Sequence, residues 1–147
     1  MVPRCIGMRR SIRSNGPGAT YFFTVTLQDR GARLLVDHVD HLRASYSEMK
    51  ARRPFRTEAI VILPEHLHAL WSLPAEDSDF GTRWMLLKQG FTRRLSHAGV
   101  LPARAAAIRG HGGERSVWQR RFWEHRIRDG DDFARHVEYI HFNPVKH

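Results

Sequence analysis

Glu58-Ala-Ile-Val-Ile-Leu-Pro-Glu-His-Leu-His-Ala-Leu-Trp-Ser-Leu73 decides how this chain folds. Residues 58–63 are aliphatic and β-branched, Pro64 interrupts them, and a further strand runs from about residue 66 to 73. In that strand Leu67, Ala69, Trp71 and Leu73 point to one side, and His66, His68, Leu70 and Ser72 to the other. Two strands therefore stand next to each other in the middle of the chain. Upstream, residues 21–27 (Tyr-Phe-Phe-Thr-Val-Thr-Leu) read as a strand after a Gly-Pro-Gly turn. Leu35, Val39, Leu42, Tyr46 and Met49 then recur at helical spacing until Pro54. Downstream, Asp77-Ser78-Asp79 offers N-caps for a helix with the apolar stripe Phe80, Trp84, Leu87, Phe91 and Leu95, flanked by Arg83, Lys88, Arg93 and Arg94. Residues 99–116, rich in Gly, Ala and Arg, read as a basic loop. A fourth strand over about residues 117–127 precedes a last helix from near Asp131. The order β-α-β-β-α-β-α gives an α+β fold, an antiparallel sheet with packed helices in a ferredoxin-like split βαβ sandwich.

All 147 residues are expected in a single domain, with 1–18 a basic N-terminal arm. Hydrophobic residues at 41%, with 4 Trp and 8 Phe, supply a packed core and exclude general disorder. The longest uncharged stretch, residues 14–28, is too short and polar to cross a bilayer. The N-terminal arginines leave no apolar run for a secretory signal, so a cytoplasmic protein is expected. Cys5, the single cysteine, can form neither an internal disulfide nor a cysteine-type zinc site.

Charge points to a partner. Lys and Arg total 24 against 15 Asp and Glu, a net charge of +9, and the only lysines are Lys50, Lys88 and Lys146. Arginine's planar fork grips phosphates and base edges in two places, where lysine supplies a solvated point charge. A pI near 10.9 carried almost wholly by arginine makes nucleic acid the expected partner.

Two constellations could carry chemistry. His66 and His68, at i and i+2 on a strand, put two imidazoles on one face, close enough to bind one cation. In the last helix Phe133, Val137 and Ile140 make the buried stripe, while His136, Tyr139 and Asn143 lie on a neighbouring one. Pro144 disfavours helical geometry at Asn143 and is expected to end the helix there. Joined, the two make a site: His66, His68 and Asn143 hold a divalent cation, and Tyr139 presents its hydroxyl to a phosphate bound on it. A free phenol, with a pKa of about 10, is a poor nucleophile at neutral pH. A cation offsets this by polarising the phosphoryl oxygen.

Three separated motifs, Leu63-Pro-Glu-His-Leu-His-Ala-Leu-Trp-Ser-Leu-Pro74, Trp118-Gln-Arg-Arg-Phe-Trp-Glu-His125 and Tyr139-Ile-His-Phe-Asn-Pro-Val-Lys-His147, resemble the REP-associated tyrosine transposases, relatives of the single-tyrosine HUH endonucleases. The resemblance implies a metal-dependent single-stranded DNA endonuclease and strand transferase that cleaves at repetitive extragenic palindrome hairpins through a covalent 5′-phosphotyrosine. It places the nucleophile on Tyr139, the metal ligands on His66, His68 and Asn143, and Mg²⁺ or Mn²⁺ between them. DNA contacts are expected from Arg9, Arg10 and Arg13 of the arm and from Arg83, Lys88 and Arg93 of the second helix. Arg120, Arg121 and Arg126 are further candidates. The protein is expected to act on single-stranded or hairpin DNA, away from membranes, and as a monomer rather than a homodimer. Relatives continue past the last motif, so regulation by a C-terminal tail is expected to be absent or altered.

Two other readings compete. In one the sheet and arginines form a non-catalytic module that binds hairpin nucleic acid and the His pair is structural. In the other His66 and His68 join His125 or His141 around zinc in a hydrolase that does not need Tyr139.

Overall fold

β3 (His66–Ser72) stands inside the sheet, between β2 (Arg56–Ile62) and β1 (Thr20–Thr26). β1 also pairs with β4 (Trp123–Arg126), and all three pairings are antiparallel, in the order β2-β3-β1-β4. This is the expected split βαβ sheet, in a computed structural model that describes residues 18–101 and 117–146, the side chains of 143–146 excepted. The arm with Arg9, Arg10 and Arg13, and most of the basic loop, lie outside the described residues.

Strand alternation gives the sheet two unlike faces. The helix expected between β1 and β2 is divided at His38, which leaves helical dihedrals (φ −122°, ψ 39°), into α1 (Leu34–Asp37) and α2 (Val39–Arg52). The His38 carbonyl then accepts from the amides of His41 and Leu42 and so starts the second helix. Tyr21, Phe23 and Val25 of β1, with Leu67, Ala69 and Trp71 of β3, pack against α2 and α3 (Phe80–His97). Trp84, Leu87, Phe91 and Leu95 of α3 are all fully buried there, as the stripe foretold, and Trp84 stacks on Trp71 at 4.1 Å between centroids. Asp79 caps α3 by accepting from the Thr82 amide at 3.1 Å. Gly90 lets the two helices close up, since a Cβ there would sit 3.3 Å from Ser45 Oγ.

The opposite face is smaller. Phe22 and Leu70 point away from α2 and α3 and pack with Ile127, Phe133 and Ile140 beneath α4 (Gly130–Lys146). A bulge at Glu58, between the pairs Thr57–Trp71 and Ala59–Leu70, sets the alternation of β2 so that Ala59 and Val61 join this layer while Ile60 and Ile62 join the other.

The fourth strand is shorter than expected. Trp118 makes an isolated bridge to Leu27, and regular pairing begins only at Trp123. Between them Phe122 turns into the larger core. Lys88 reaches this interruption: its ammonium donates to the Gln119 carbonyl at 3.2 Å and lies 5.4 Å from the Phe122 ring centre.

Candidate active site

His66 and His68 leave β3 on the α4 side, with ring centroids 4.9 Å apart and planes nearly perpendicular. Each ring is oriented through Nδ1. Thr24, directly opposite His68 on β1, places its hydroxyl 2.8 Å from His68 Nδ1. Glu65 Oε2 lies 2.8 Å from His66 Nδ1 and also accepts from Arg30 at 3.2 Å. Burial alone would raise the Glu65 carboxyl, but the hydrogen bond and charge of His66, with Arg30, hold it below the ordinary value. With Nδ1 engaged in both rings, Nε2 is the atom through which either would coordinate a cation.

α4 brings Tyr139 to this pair. Its ring stands edge-on to His68 with centroids 5.2 Å apart, and edge-on to Phe22 at 5.9 Å. Phe22 is buried and stacks on His68 at 5.4 Å, so one ring supports both groups. Tyr139 is 44% exposed, so its phenol can be reached from solvent. α4 does not end before Pro144, as the sequence led us to expect, but continues to Lys146. The proline forfeits one backbone hydrogen bond close to the helix end, where the loss is small. Tyr139 and Asn143 thus keep helical i, i+4 spacing; the Asn143 side chain is outside the described part.

Not every expected DNA contact survives. Arg83 and Lys88 are 2% and 1% exposed, so neither can meet a phosphate. Arg83 is spent on the Asp77 carboxylate and on the carbonyls of Arg53, Pro54 and Asp79, and Lys88 on Gln119. Arg93, Arg120, Arg121 and Arg126 are exposed. Arg93 lies on α3, and Arg126 pairs with Tyr21, so both belong to the α2–α3 side of the sheet rather than the histidine side.

Sequence reading missed a second cluster on the α4 side. Asp132, 1% exposed, accepts from the Arg128 amide at 2.8 Å, lies 2.8 Å from His125 Nε2 and 3.2 Å from His136 Nδ1. Burial would raise this carboxyl, yet the Arg128 amide and the two histidines lower it overall. Among the described residues, His125, Asp132 and His136 are a group close enough to share a metal ion. Arg128 and Arg135 also approach the carboxylate, at 3.6 and 3.5 Å, and give it cationic partners already. His125 is thereby drawn to Asp132 rather than to the His66–His68 pair. Asp129 accepts from the Asp132 amide at 2.8 Å, and nothing local in the sequence points to the histidine from β4 that completes the cluster.

No family model matches the chain. Over 133 residues it is 44% identical to a Haemophilus influenzae protein assigned to the REP-associated tyrosine transposases, an alignment spanning 88% of this chain and 72% of that one. Over 130 residues it is 43% identical to the REP-associated tyrosine transposase of Escherichia coli K12, covering 88% and 68%. The solved structure of a REP-associated tyrosine transposase bound to a REP hairpin superposes with a TM-score of 0.74 at 43% identity, over 89% of this chain and 69% of that one. A Deinococcus radiodurans structure assigned to the transposases shares the fold alone, with a TM-score of 0.54 at 16% identity over 83% and 88% of the two chains. With such identity over most of both chains, and with the paired histidines and the tyrosine meeting on one face of the sheet, the chain belongs to the REP-associated tyrosine transposases.

Proposed function

We propose that this chain is a metal-dependent endonuclease and strand transferase that cleaves single-stranded DNA at REP hairpins through a covalent 5′-phosphotyrosine. The observation that carries the reading is the half-exposed Tyr139 ring set against His68 of the oriented histidine pair. In the reaction the Tyr139 oxygen attacks the scissile phosphorus and forms a P–O bond. The bond from phosphorus to the 3′ oxygen breaks, and that oxygen leaves as a hydroxyl, its proton balanced by the one the Tyr139 phenol gives up. The diester bond is conserved in number, so attack by another 3′ hydroxyl reverses the step and rejoins strands without ATP.

Two imidazoles fixed through Nδ1 fit a divalent cation, and Asn143, one helical turn beyond Tyr139, would be its third ligand. Bound Mg²⁺ or Mn²⁺ supplies polarisation of the phosphoryl oxygen and neutralises the charge that builds up on it. Thr24 and Glu65 hold the two rings in place, and Phe22 fixes the spacing between ring and phenol. Hairpin DNA as partner is supported by the relative whose structure holds a REP hairpin.

The test is adduct formation. Purified protein, Mn²⁺ and labelled REP hairpin oligonucleotides should give a band that resists SDS. It should vanish with EDTA and in Tyr139→Phe. Tight hairpin binding with no adduct and no cutting would favour the non-catalytic module instead.

A further inference from the structure

Of the chain's four tryptophans, Trp71, Trp84 and Trp118 are wholly buried, whereas Trp123 is 56% exposed. A single exposed apolar residue needs no explanation by itself. Its neighbours do. Trp123 on β4 is in register with Thr24 on β1, and Thr24 with His68 on β3, so the three lie in one row on the α4 side of the sheet. Two strand spacings put the Trp123 backbone about 10 Å from that of His68. The same Phe22 ring that supports His68 and Tyr139 meets the indole edge-on at 6.0 Å. The indole and the phenol are therefore parts of one surface.

The indole is also oriented. It stacks on His125 at 5.9 Å and 14°, and His125 is anchored by the buried Asp132 at 2.8 Å. Asp132 thus does more than accept from the Arg128 amide: through His125 it fixes the plane of an aromatic ring that stands in solvent. Exposed Arg120 and Arg121 precede β4, and Arg128 and Arg135 flank Asp132, so the surroundings attract a polyanion. A fixed aromatic face beside exposed arginines is the arrangement that binds single-stranded nucleic acid by base stacking.

We propose that Trp123 is the stacking platform for an unpaired DNA base close to the phosphate attacked by Tyr139. Its place in the sheet beside His68 puts that base within a short reach of the reacting phosphorus, and stacking holds the backbone in register for attack. The inference rests on the reading of Tyr139 as nucleophile.

Binding and fluorescence test it without cleavage. The Tyr139→Phe protein is titrated with a REP hairpin oligonucleotide carrying a short single-stranded extension, and with a series in which each extension nucleotide in turn is abasic. Because the other three indoles are buried, the acrylamide-accessible emission reports Trp123. The intact oligonucleotide should quench that emission. One abasic position should abolish the quenching and weaken binding about 10-fold. Trp123→Ala, otherwise in the same protein, should weaken binding of the intact oligonucleotide by a similar factor, and the abasic substitution should then cost nothing more. Trp123→Tyr should recover part of the loss. Quenching by every abasic oligonucleotide alike, or losses that simply multiply, would overturn the proposal. So would an indole unaffected by bound DNA while Trp123→Ala changes the protein's oligomeric mass, which would make the patch a protein contact. An adduct from wild-type protein without a special abasic position refutes stacking alone, while a special position without any adduct refutes the nucleophile alone.

Discussion

Arg83 shows what burial does to a charged residue. Its guanidinium donates to the Arg53 and Pro54 carbonyls between α2 and β2, to the Asp79 carbonyl, and to both oxygens of Asp77 before α3. It joins the backbone after α2, before β2 and before α3. Arg83→Ala should therefore cost about 3–5 kcal/mol in urea unfolding, because it orphans the carbonyls and the carboxylate together. Arg83→Lys should rescue little, since an ammonium cannot match the planar fork. The partner adds a pH dependence. Hydrogen bonding from Arg83, then the Asp79 amide, pulls the Asp77 carboxyl down to about 2 from an ordinary 3.8. The folded value lies below the unfolded one, so this stabilisation is complete above about pH 4 and is lost as pH falls towards 2. Unfolding midpoints measured between pH 5 and pH 2 should fall less steeply in Asp77→Asn than in wild type.

At the scale of elements, β3 and α4 make the site, and both were legible to different depths. Alternation in β3 told which residues share the histidine side, because one apolar face fixes the other. The stripe Phe133, Val137 and Ile140 told which side of α4 is buried, and hence that Tyr139 stands at its margin. The end of α4 was not legible, since local preference near Pro144 gave way to a helix already paired along its length. Nor was the burial of Arg83 or Lys88: they flank the stripe of α3, and only distant carbonyls and the gap before β4 decide that they turn inward. The Glu58 bulge and the bond from Thr24 to His68 also depend on strand register, which no single segment contains. That bond gives a prediction for the element pair. Thr24→Val keeps the shape and removes the hydroxyl, so the fold should persist while the Mn²⁺ concentration for half-maximal adduct formation rises about 10- to 100-fold.

For the whole molecule, the +9 charge is distributed unevenly in what it can do. Arginines that are buried contribute to folding, and only exposed ones can release counterions from DNA. Arg120→Ala and Arg121→Ala, both exposed just before β4, should each lower the slope of log binding constant against log salt by about one unit. Arg83→Ala, measured where it remains folded, should leave the slope unchanged. No helix among the described residues is long and apolar enough to cross a membrane. What distinguishes the proposed mechanism is the atom that becomes joined to DNA. The most direct measurement is to trim the SDS-resistant adduct with nuclease and protease and locate the nucleotide by tandem mass spectrometry. A 5′-phosphonucleotide on the peptide containing Tyr139, assigned to the tyrosine oxygen, is the predicted result. A nucleotide on any other side chain, or cleaved DNA bearing free 5′-phosphates with no adduct, would contradict it.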